Sequence, residues 1–236
     1  TVIAEEIDLV PDDVYGRYLQ EESLYNKIAM AAEYANMLDA ITDLSSASEM
    51  EKFILAYVFF PLMLESCWFY IGLSAGTYPA LFERKMLGTA YIFSLIRKDE
   101  SLHYSVGLTV TADIIRENPQ INLKEVNTAI LDMVSKGLAL EEAFAKETYR
   151  NLPGLSADSY MEQCRFMMNV NLRRLGLEHP DCVSAGLALP WVSESVELNK
   201  ETAFFERRLA EYMVSADLNF DDEHEGWEDP LKELKC

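Results

Sequence analysis

The chain has 236 residues and a mass of 26.9 kDa, with half of its residues apolar and a quarter charged, a composition that excludes disorder along most of its length. Forty acidic against 20 basic residues give a net charge of -20, which excludes a nucleic acid as the main partner because phosphates would be repelled. The four cysteines contain no Cys-x-x-Cys pair, so we expect reduced thiols in a cytoplasmic protein.

Two helices are predicted in the first third of the chain. Between Asp12 and Asp43 apolar residues recur at steps of three and four, which predicts an amphipathic helix. Residues 49–72 predict a second helix that is apolar on nearly every side and therefore central in the fold. Its apolar run, residues 53–64, is shorter than the ~20 residues of a membrane span and is followed by Glu65. The run therefore predicts a buried core helix and no membrane partner.

Three further helical patterns complete a bundle. They cover residues 80–116, 122–151 and 156–175, and each ends near a proline or a glycine. No strand-like alternation or hairpin signal interrupts them. We therefore expect an all-α fold, an antiparallel bundle in one domain over residues 1–214, with sites between facing helices. Residues 215–236 include a run of acids without Lys or Arg and predict a mobile tail.

The polar residues that indicate chemistry lie on two of these helices. Side chains three residues apart in a helix point to the same side, so Glu100 and His103 can bind one metal ion. Asp99 lies at the edge of the same face. Glu65 lies within the most apolar helix, where an ionised carboxylate is costly unless it is paired or bound to a cation. A metal ion between the two helices would remove that cost.

These residues make half of a known type of site. Ferritin-like di-metal carboxylate bundles use one Glu from each of two helices and one Glu-x-x-His from each of two others, and this chain contains one of each. Carboxylate oxygens with imidazole nitrogen suit iron, or manganese, better than thiophilic metals. The competing interpretation is a surface ion pair between Glu100 and His103, with Glu65 hydrogen-bonded to a Tyr, Ser or Trp.

The order of the site residues resembles a known family, the small, radical-generating subunit of class I ribonucleotide reductase. The matching residues at the site are Glu65, Phe69, Tyr70, Ile96, Asp99, Glu100 and His103. The resemblance continues along most of the chain, in residues 1–15, 169–172, 176–177, 190–191 and 204–212. Several ordered matches are more specific than any single motif.

The resemblance implies a ferritin-like bundle with a two-metal centre. This centre would activate oxygen and generate an oxidising radical, which a large catalytic subunit uses to reduce ribonucleotides. The metal ligands would be Glu65, Glu100 and His103. The apolar pocket that shields the radical, which is also ordinary core packing, would be lined by Phe69, Leu73 and Ile96.

The resemblance also implies a route for the radical and a set of partners. Asp99 would orient a ligand histidine and join the radical-transfer route, a role that carboxylates behind a ligand commonly fill; its competing role is an exposed helix acid. The large subunit would dock through the acidic tail, and the small subunit would dimerise. Nothing after Tyr212 is a tyrosine, so Trp227 would substitute for the family's C-terminal tyrosine, and an aromatic docking anchor is its competing role.

Two departures from the family pattern change the expected assembly. The resemblance places Thr1 just after the family's radical tyrosine, so the earlier Asp, Glu-x-x-His and Tyr are expected on a separate N-terminal fragment. Lys98 stands where the family usually has Arg, which weakens any case for bidentate pairing at this position. We therefore expect the C-terminal part of a small subunit, active only in complex.

Two other functions fit the same residues. In a homodimeric ferritin-like oxidase, two copies of Glu65 and the Glu100–His103 pair would meet across a two-fold axis. In a non-catalytic scaffold, the bundle would remain after the metal chemistry was lost. One di-metal centre per two identical chains favours the oxidase, and a metal-free natural complex favours the scaffold.

Overall fold

The computed structural model describes residues 16, 19–152, 154–189 and 191–192, all of which lie within the unit Thr1–Ser195. The main elements, in chain order, are α1 (Glu22–Asp39), α2 (Ala47–Phe59), a π-segment (Phe60–Phe69), α3 (Tyr70–Gly76), α4 (Tyr78–Glu83), α5 (Leu87–Glu117), α6 (Leu123–Thr148) and α7 (Ala157–Arg174). These described residues contain no strand, so the all-α prediction is confirmed.

Polar caps set several helix boundaries. The Ser46 hydroxyl accepts the Glu49 N–H at 3.2 Å, so α2 begins two residues before the predicted Glu49. Ser156 caps α7 in the same way. This helix ends as predicted, because Gly176 adopts a left-handed φ of 72°, which glycine reaches without strain.

The central helix is longer and less regular than predicted. Helical backbone runs without a break over residues 47–76, and its middle third is the π-segment. Pro61 lies near the start of this segment, where it lacks an N–H and its ring crowds the carbonyl one turn earlier. The Ser66 hydroxyl donates to the Leu62 carbonyl at 2.5 Å. Widened turns of this kind occur frequently at functional sites.

Two other predicted helices also differ from the structure. The third predicted helix, 80–116, is broken, because Arg84 and Met86 adopt left-handed backbone with φ of 54° and 55°. The long helix α5 therefore begins at Leu87. The apolar steps continue across the break, which is why periodicity alone missed it. The first predicted helix, 12–43, is also shorter, because residues 19–21 are not α-helical and α1 runs only from Glu22 to Asp39.

Close packing of the π-segment on α5 positions the candidate site. The π-segment contacts both α5 and α7, while α2 contacts α1 and α6. A Cβ added at Gly107 of α5 would lie 2.5 Å from the Cβ of Pro61, so the two backbones approach as closely as only glycine allows. This approach brings the middle of the π-segment, with Glu65, against the middle of α5.

Burial explains the most apolar stretch of the chain. By length and composition alone, Ala47–Glu83 is long and apolar enough to cross a membrane. However, 67% of its apolar window is buried inside the protein, which is what the core helix of a bundle shows.

Three of the four cysteines lie in the described part of the chain, whereas several predictions concern residues outside it. Three thiols are free and buried, as expected for reduced cysteines, at Cys67, Cys164 and Cys182. The predictions for residues 1–15, 190, 204–212, Trp227 and the tail 215–236, with the domain boundary at 214, lie outside the described residues.

Candidate metal centre

Three predicted ligands meet between the π-segment and α5. One ligand atom from each of Glu65, Glu100 and His103 lies within 4.8 Å of the other two. The Nδ1 of His103 is 3.1 Å from Glu100 Oε2 and 3.8 Å from Glu65 Oε2. The helical spacing of three residues brings Glu100 and His103 together, and the packing of the two helices adds Glu65. This is the only such cluster in the part of the chain that the structure describes.

Burial decreases from one side of the cluster to the other. Glu100 is only 8% exposed and Glu65 is half-buried, whereas the His103 side chain is 57% exposed. Burial, together with the hydrogen bond and charge of Glu100, raises the pKa of Glu65 to about 7. The hydrogen bond to Glu100 raises the pKa of His103, and the charges of Glu100, Glu65 and Asp99 act in the same direction.

This donor set fits a metal ion. Two carboxyl groups in contact and partly removed from water repel each other when both are ionised, and a cation between them removes that repulsion. Carboxylate oxygens with one imidazole nitrogen are ligands that iron and manganese accept. The arrangement offers one carboxylate from each helix and leaves the exposed side of His103 open to further ligands.

The predicted pocket residues separate into two groups. Phe69 and Leu73 line an apolar cavity of about 470 Å³ between α1, the π-segment, α3 and α6. Phe69 is 45% exposed, so the cavity is open on that side. Ile96 is not among the residues that line this cavity; it lies on the exposed face of α5, as does Asp99.

An apolar surface on α5 was missed by sequence reasoning. Along one face of this helix, six exposed apolar side chains lie on both sides of Glu100 and His103. They are Ile92, Leu95, Ile96, Leu102, Val106 and Val110. We call these six residues the α5 apolar face. Its periodicity was visible in the sequence, but periodicity does not show whether a face is covered by the same chain.

A buried polar cluster was also missed. Lys27 of α1 forms an ion pair with Glu141 of α6, and the Tyr160 hydroxyl donates to the same carboxylate. The Lys27 ammonium lies 4.9 Å from the Trp68 ring centroid and 4.2 Å from that of Phe144. The only sequence signal was the presence of single charges on mostly apolar helix faces, which does not by itself predict that the charges pair.

Arg97 is a third residue that the sequence did not single out. It is buried on α5, its guanidinium lies over the Tyr70 ring, and it donates to the Val192 carbonyl at 2.9 Å. Its place between Ile96 and Lys98 in the sequence gave no sign of burial.

His179 lies outside the group of candidate metal ligands. Its Nε2 lies 2.8 Å from the Ser135 hydroxyl, and its Nδ1 accepts the Asp181 N–H at 3.2 Å. Both ring nitrogens are therefore used in local hydrogen bonds.

Comparison with known proteins gives consistent results. The family model for ribonucleotide reductase, small chain, matches residues 10–180. The chain is 28% identical to a ribonucleoside-diphosphate reductase subunit beta from Chlamydia pneumoniae over 92% of this chain and 63% of that protein. It is 26% identical to a subunit of the same name from Halalkalibacterium halodurans over 72% of this chain and 50% of that protein. The chain thus spans between half and two thirds of the length of these relatives.

Solved structures show the same fold. A structure described as a class I ribonucleotide reductase from Bacillus halodurans aligns with a TM-score of 0.67 at 20% identity, over 79% of this chain and 66% of that one. The ribonucleotide reductase R2 subunit from Clostridium botulinum aligns with a TM-score of 0.66 at 21% identity, over 78% and 56% of the two chains. These alignments confirm the ferritin-like helical bundle. Because the family model matches most of its length, the chain belongs to the ribonucleotide reductase small-chain family.

Proposed function

We propose that the chain supplies half of the di-metal centre of a ribonucleotide reductase small subunit. The complete centre would activate oxygen and generate the oxidising radical that a large subunit uses to reduce ribonucleotides. The observation that carries this proposal is the convergence of Glu65, Glu100 and His103 from two helices. A surface ion pair would explain neither the burial of Glu100 nor the approach of Glu65.

Each polar residue has a distinct task in this proposal. Glu65 and Glu100 provide carboxylate oxygens from facing helices, and His103 provides an imidazole nitrogen. Bound iron, or manganese, supplies the oxygen activation and one-electron chemistry that these side chains lack. Asp99 is proposed to orient a ligand histidine and to join the radical-transfer route.

Apolar side chains near the site are proposed to exclude water. Phe69 follows Glu65 by one turn and lines the cavity together with Leu73. This lining would shield a radical from solvent once the open side beside Phe69 is covered. Ile96, one turn before Glu100, would complete the shield from the α5 side once that face is covered.

The α5 apolar face supports the presence of a covering polypeptide. It flanks Glu100 and His103 on both sides, and several exposed apolar side chains on one helix face indicate an interaction surface. Burying it would stabilise an assembly by about 25 cal/mol for each Å² of apolar area. We propose that the cover is a separate N-terminal small-subunit fragment, which brings the missing Asp, Glu-x-x-His and Tyr.

The remaining partners follow from the family. Small subunits of this family bind a di-metal centre, and we propose that this one dimerises and docks on a large subunit through the acidic residues 215–236. Trp227 is the proposed substitute for the family's C-terminal tyrosine. The free, buried thiols fit the proposed cytoplasmic location.

Removal of one carboxylate tests the metal centre. We expect Glu65→Ala to abolish metal loading of the purified assembly, measured by elemental mass spectrometry, while circular dichroism shows nearly normal helix content. Glu100→Ala should act in the same way. Asp113→Ala is the matched control, because Asp113 lies on the same helix and pairs only at the surface with Arg116. Unchanged metal stoichiometry in Glu65→Ala would contradict the assignment of this ligand.

Native mass spectrometry tests the assembly. We expect a second, smaller chain and two metal ions for each pair of chains. One di-metal centre for two identical chains would instead indicate the homodimeric oxidase. A metal-free assembly would indicate the scaffold.

A further inference from the structure

The Val192 carbonyl accepts hydrogen bonds from two helices. Arg97 Nη2 of α5 donates to it at 2.9 Å, and the Tyr70 hydroxyl of α3 donates to it at 3.4 Å. Arg97 also donates to the Tyr70 hydroxyl at 3.4 Å, and its guanidinium lies 5.0 Å from the centroid of the Tyr70 ring. We call Arg97, Tyr70 and Val192 the Val192 clamp.

The clamp is almost completely removed from water. Arg97 is 4% exposed, and Tyr70 and Val192 are each 2% exposed. A buried guanidinium is tolerated only where carbonyl oxygens and aromatic faces receive its donors and charge. These contacts therefore hold the guanidinium in one geometry, and a substitution cannot be compensated by water.

The clamp joins the two helices that carry the candidate metal ligands. Arg97 precedes Glu100 by three residues on α5, and Tyr70 follows Glu65 by five residues on the continuous central helix. Each arm of the clamp therefore lies about one turn from one carboxylate of the cluster. The group of candidate metal ligands and the clamp therefore bridge the same pair of helices, at adjacent turns.

We propose that Arg97 and Tyr70 are positioning residues of the metal centre, which set the separation of Glu65 and Glu100 by holding the Val192 carbonyl between their helices. This inference rests on the proposed metal-binding function. A metal ion between the carboxylates restrains the same separation. Metal binding therefore stabilises the hydrogen bonds of the clamp by the same free energy by which the clamp stabilises metal binding.

Variants of the clamp should weaken metal binding more than they weaken the fold. The probe is Mn²⁺, titrated into the purified full-chain assembly and followed by the electron paramagnetic resonance signal of the free ion. We expect Arg97→Met to raise the Mn²⁺ dissociation constant about tenfold, the lower end of the range for residues that support metal ligands. Arg97→Lys keeps a donor and should restore part of the affinity, and Tyr70→Phe should have a smaller effect than Arg97→Met.

Thr111→Val is the matched control. Thr111 is a buried polar residue on the same helix, and its hydroxyl donates within α5 to the Gly107 carbonyl at 2.8 Å. We expect this variant to lower the melting temperature but to leave the Mn²⁺ affinity unchanged. If Thr111→Val and Arg97→Met reduce Mn²⁺ affinity in proportion to their loss of melting temperature, Arg97 is merely structural and the proposal is overturned.

Hydrogen exchange tests the coupling in the opposite direction. The Val192 N–H donates to the Leu189 carbonyl at 3.0 Å, so its exchange rate reports on this segment. Mn²⁺ should slow exchange in the peptide that contains Val192 in the unaltered protein and in Thr111→Val, but not in Arg97→Met. An exchange rate that Mn²⁺ does not change in the unaltered protein would overturn the coupling.

The two proposals fail in different ways. If Glu65→Ala loses Mn²⁺ while Arg97→Met keeps full affinity, the clamp has no positioning role and the metal centre stands. If the unaltered assembly does not bind Mn²⁺, the proposed metal centre is overturned, and the role of the clamp with it.

Discussion

Lys27 and Glu141 form an ion pair whose side chains are 10% and 0% exposed. Desolvation of two charges is expensive, and here it is offset by the Tyr160 hydroxyl on Glu141 and by the aromatic rings beside Lys27. A buried pair of this kind adds little net stability compared with apolar residues of the same shape. Removal of one partner alone, however, leaves the charge of the other buried without its counter-ion.

Lys27→Met should therefore destabilise the bundle strongly. We expect a loss of about 3–5 kcal/mol in the free energy of unfolding, measured by urea denaturation. Lys52→Met is the control, since Lys52 pairs with Glu49 at the surface, and it should cost less than about 1 kcal/mol. Equal effects of the two variants would show that the buried pair is in contact with water.

At the level of elements, the site depends on how closely the π-segment approaches α5. Gly107 provides that approach, because any side chain at this position meets the ring of Pro61. A proline ring cannot move aside as a flexible side chain can. The backbones would have to separate, and with them Glu65 and Glu100.

Gly107→Ala should lower stability even though alanine favours helix. We expect a cost of about 1–3 kcal/mol from overpacking, measured as a change in the free energy of unfolding. Gly88→Ala is the matched control on the same helix, because a Cβ there meets nothing within 4 Å, and it should be neutral or stabilising by up to about 1 kcal/mol. A Gly107→Ala variant as stable as Gly88→Ala would contradict the close approach.

The elements differ in how far the sequence predicts them. Local rules suffice for the Glu100–His103 pair, because a spacing of three residues fixes their contact, and for the end of α7 at Gly176. To predict that Glu65 lies near Glu100, two assumptions were needed: that its helix is buried, and that an unpaired charge there is costly. The structure places Glu65 beside Glu100. The π-segment has no comparable signal, since Pro61 predicts a disturbance in the helix but not its form.

Tertiary contacts account for what sequence reasoning missed. The left-handed residues Arg84 and Met86 carry side chains that disfavour this backbone, so local propensity argues against the break observed there. Arg97 resembles its charged neighbours in sequence, and only the folded chain brings the Val192 carbonyl to it.

At the level of the whole molecule, the α5 apolar face is the surface that the proposed N-terminal fragment would cover. Its six exposed side chains lie on the helix that carries Glu100 and His103, so a partner that covers them also closes the candidate metal centre. Metal retention should therefore depend on a surface that contributes no ligand.

A charge placed on this face tests that dependence. We expect Val106→Glu to prevent the covering chain from binding and to reduce the metal content of the purified assembly several-fold, because burying an unpaired carboxylate costs several kcal/mol. Native mass spectrometry measures both quantities. Val170→Glu, at an exposed apolar residue of α7, should change neither. An intact, fully loaded Val106→Glu assembly would show that this face is not covered.

The three buried cysteines can report how often the core of the bundle opens. Cys67 lies two residues after Glu65 in the π-segment, and burial raises the pKa of Cys164 on α7 well above its usual value and that of Cys182 to about 12. Because the thiolate is the form that reacts with alkylating reagents, Cys164 and Cys182 are inert while the core is closed, and Cys67 is fully buried and out of reach of the reagent. The alkylation rate at each position, read by peptide mass spectrometry, therefore measures how often that part of the core becomes exposed, and Cys67 reports on the helix that carries Glu65.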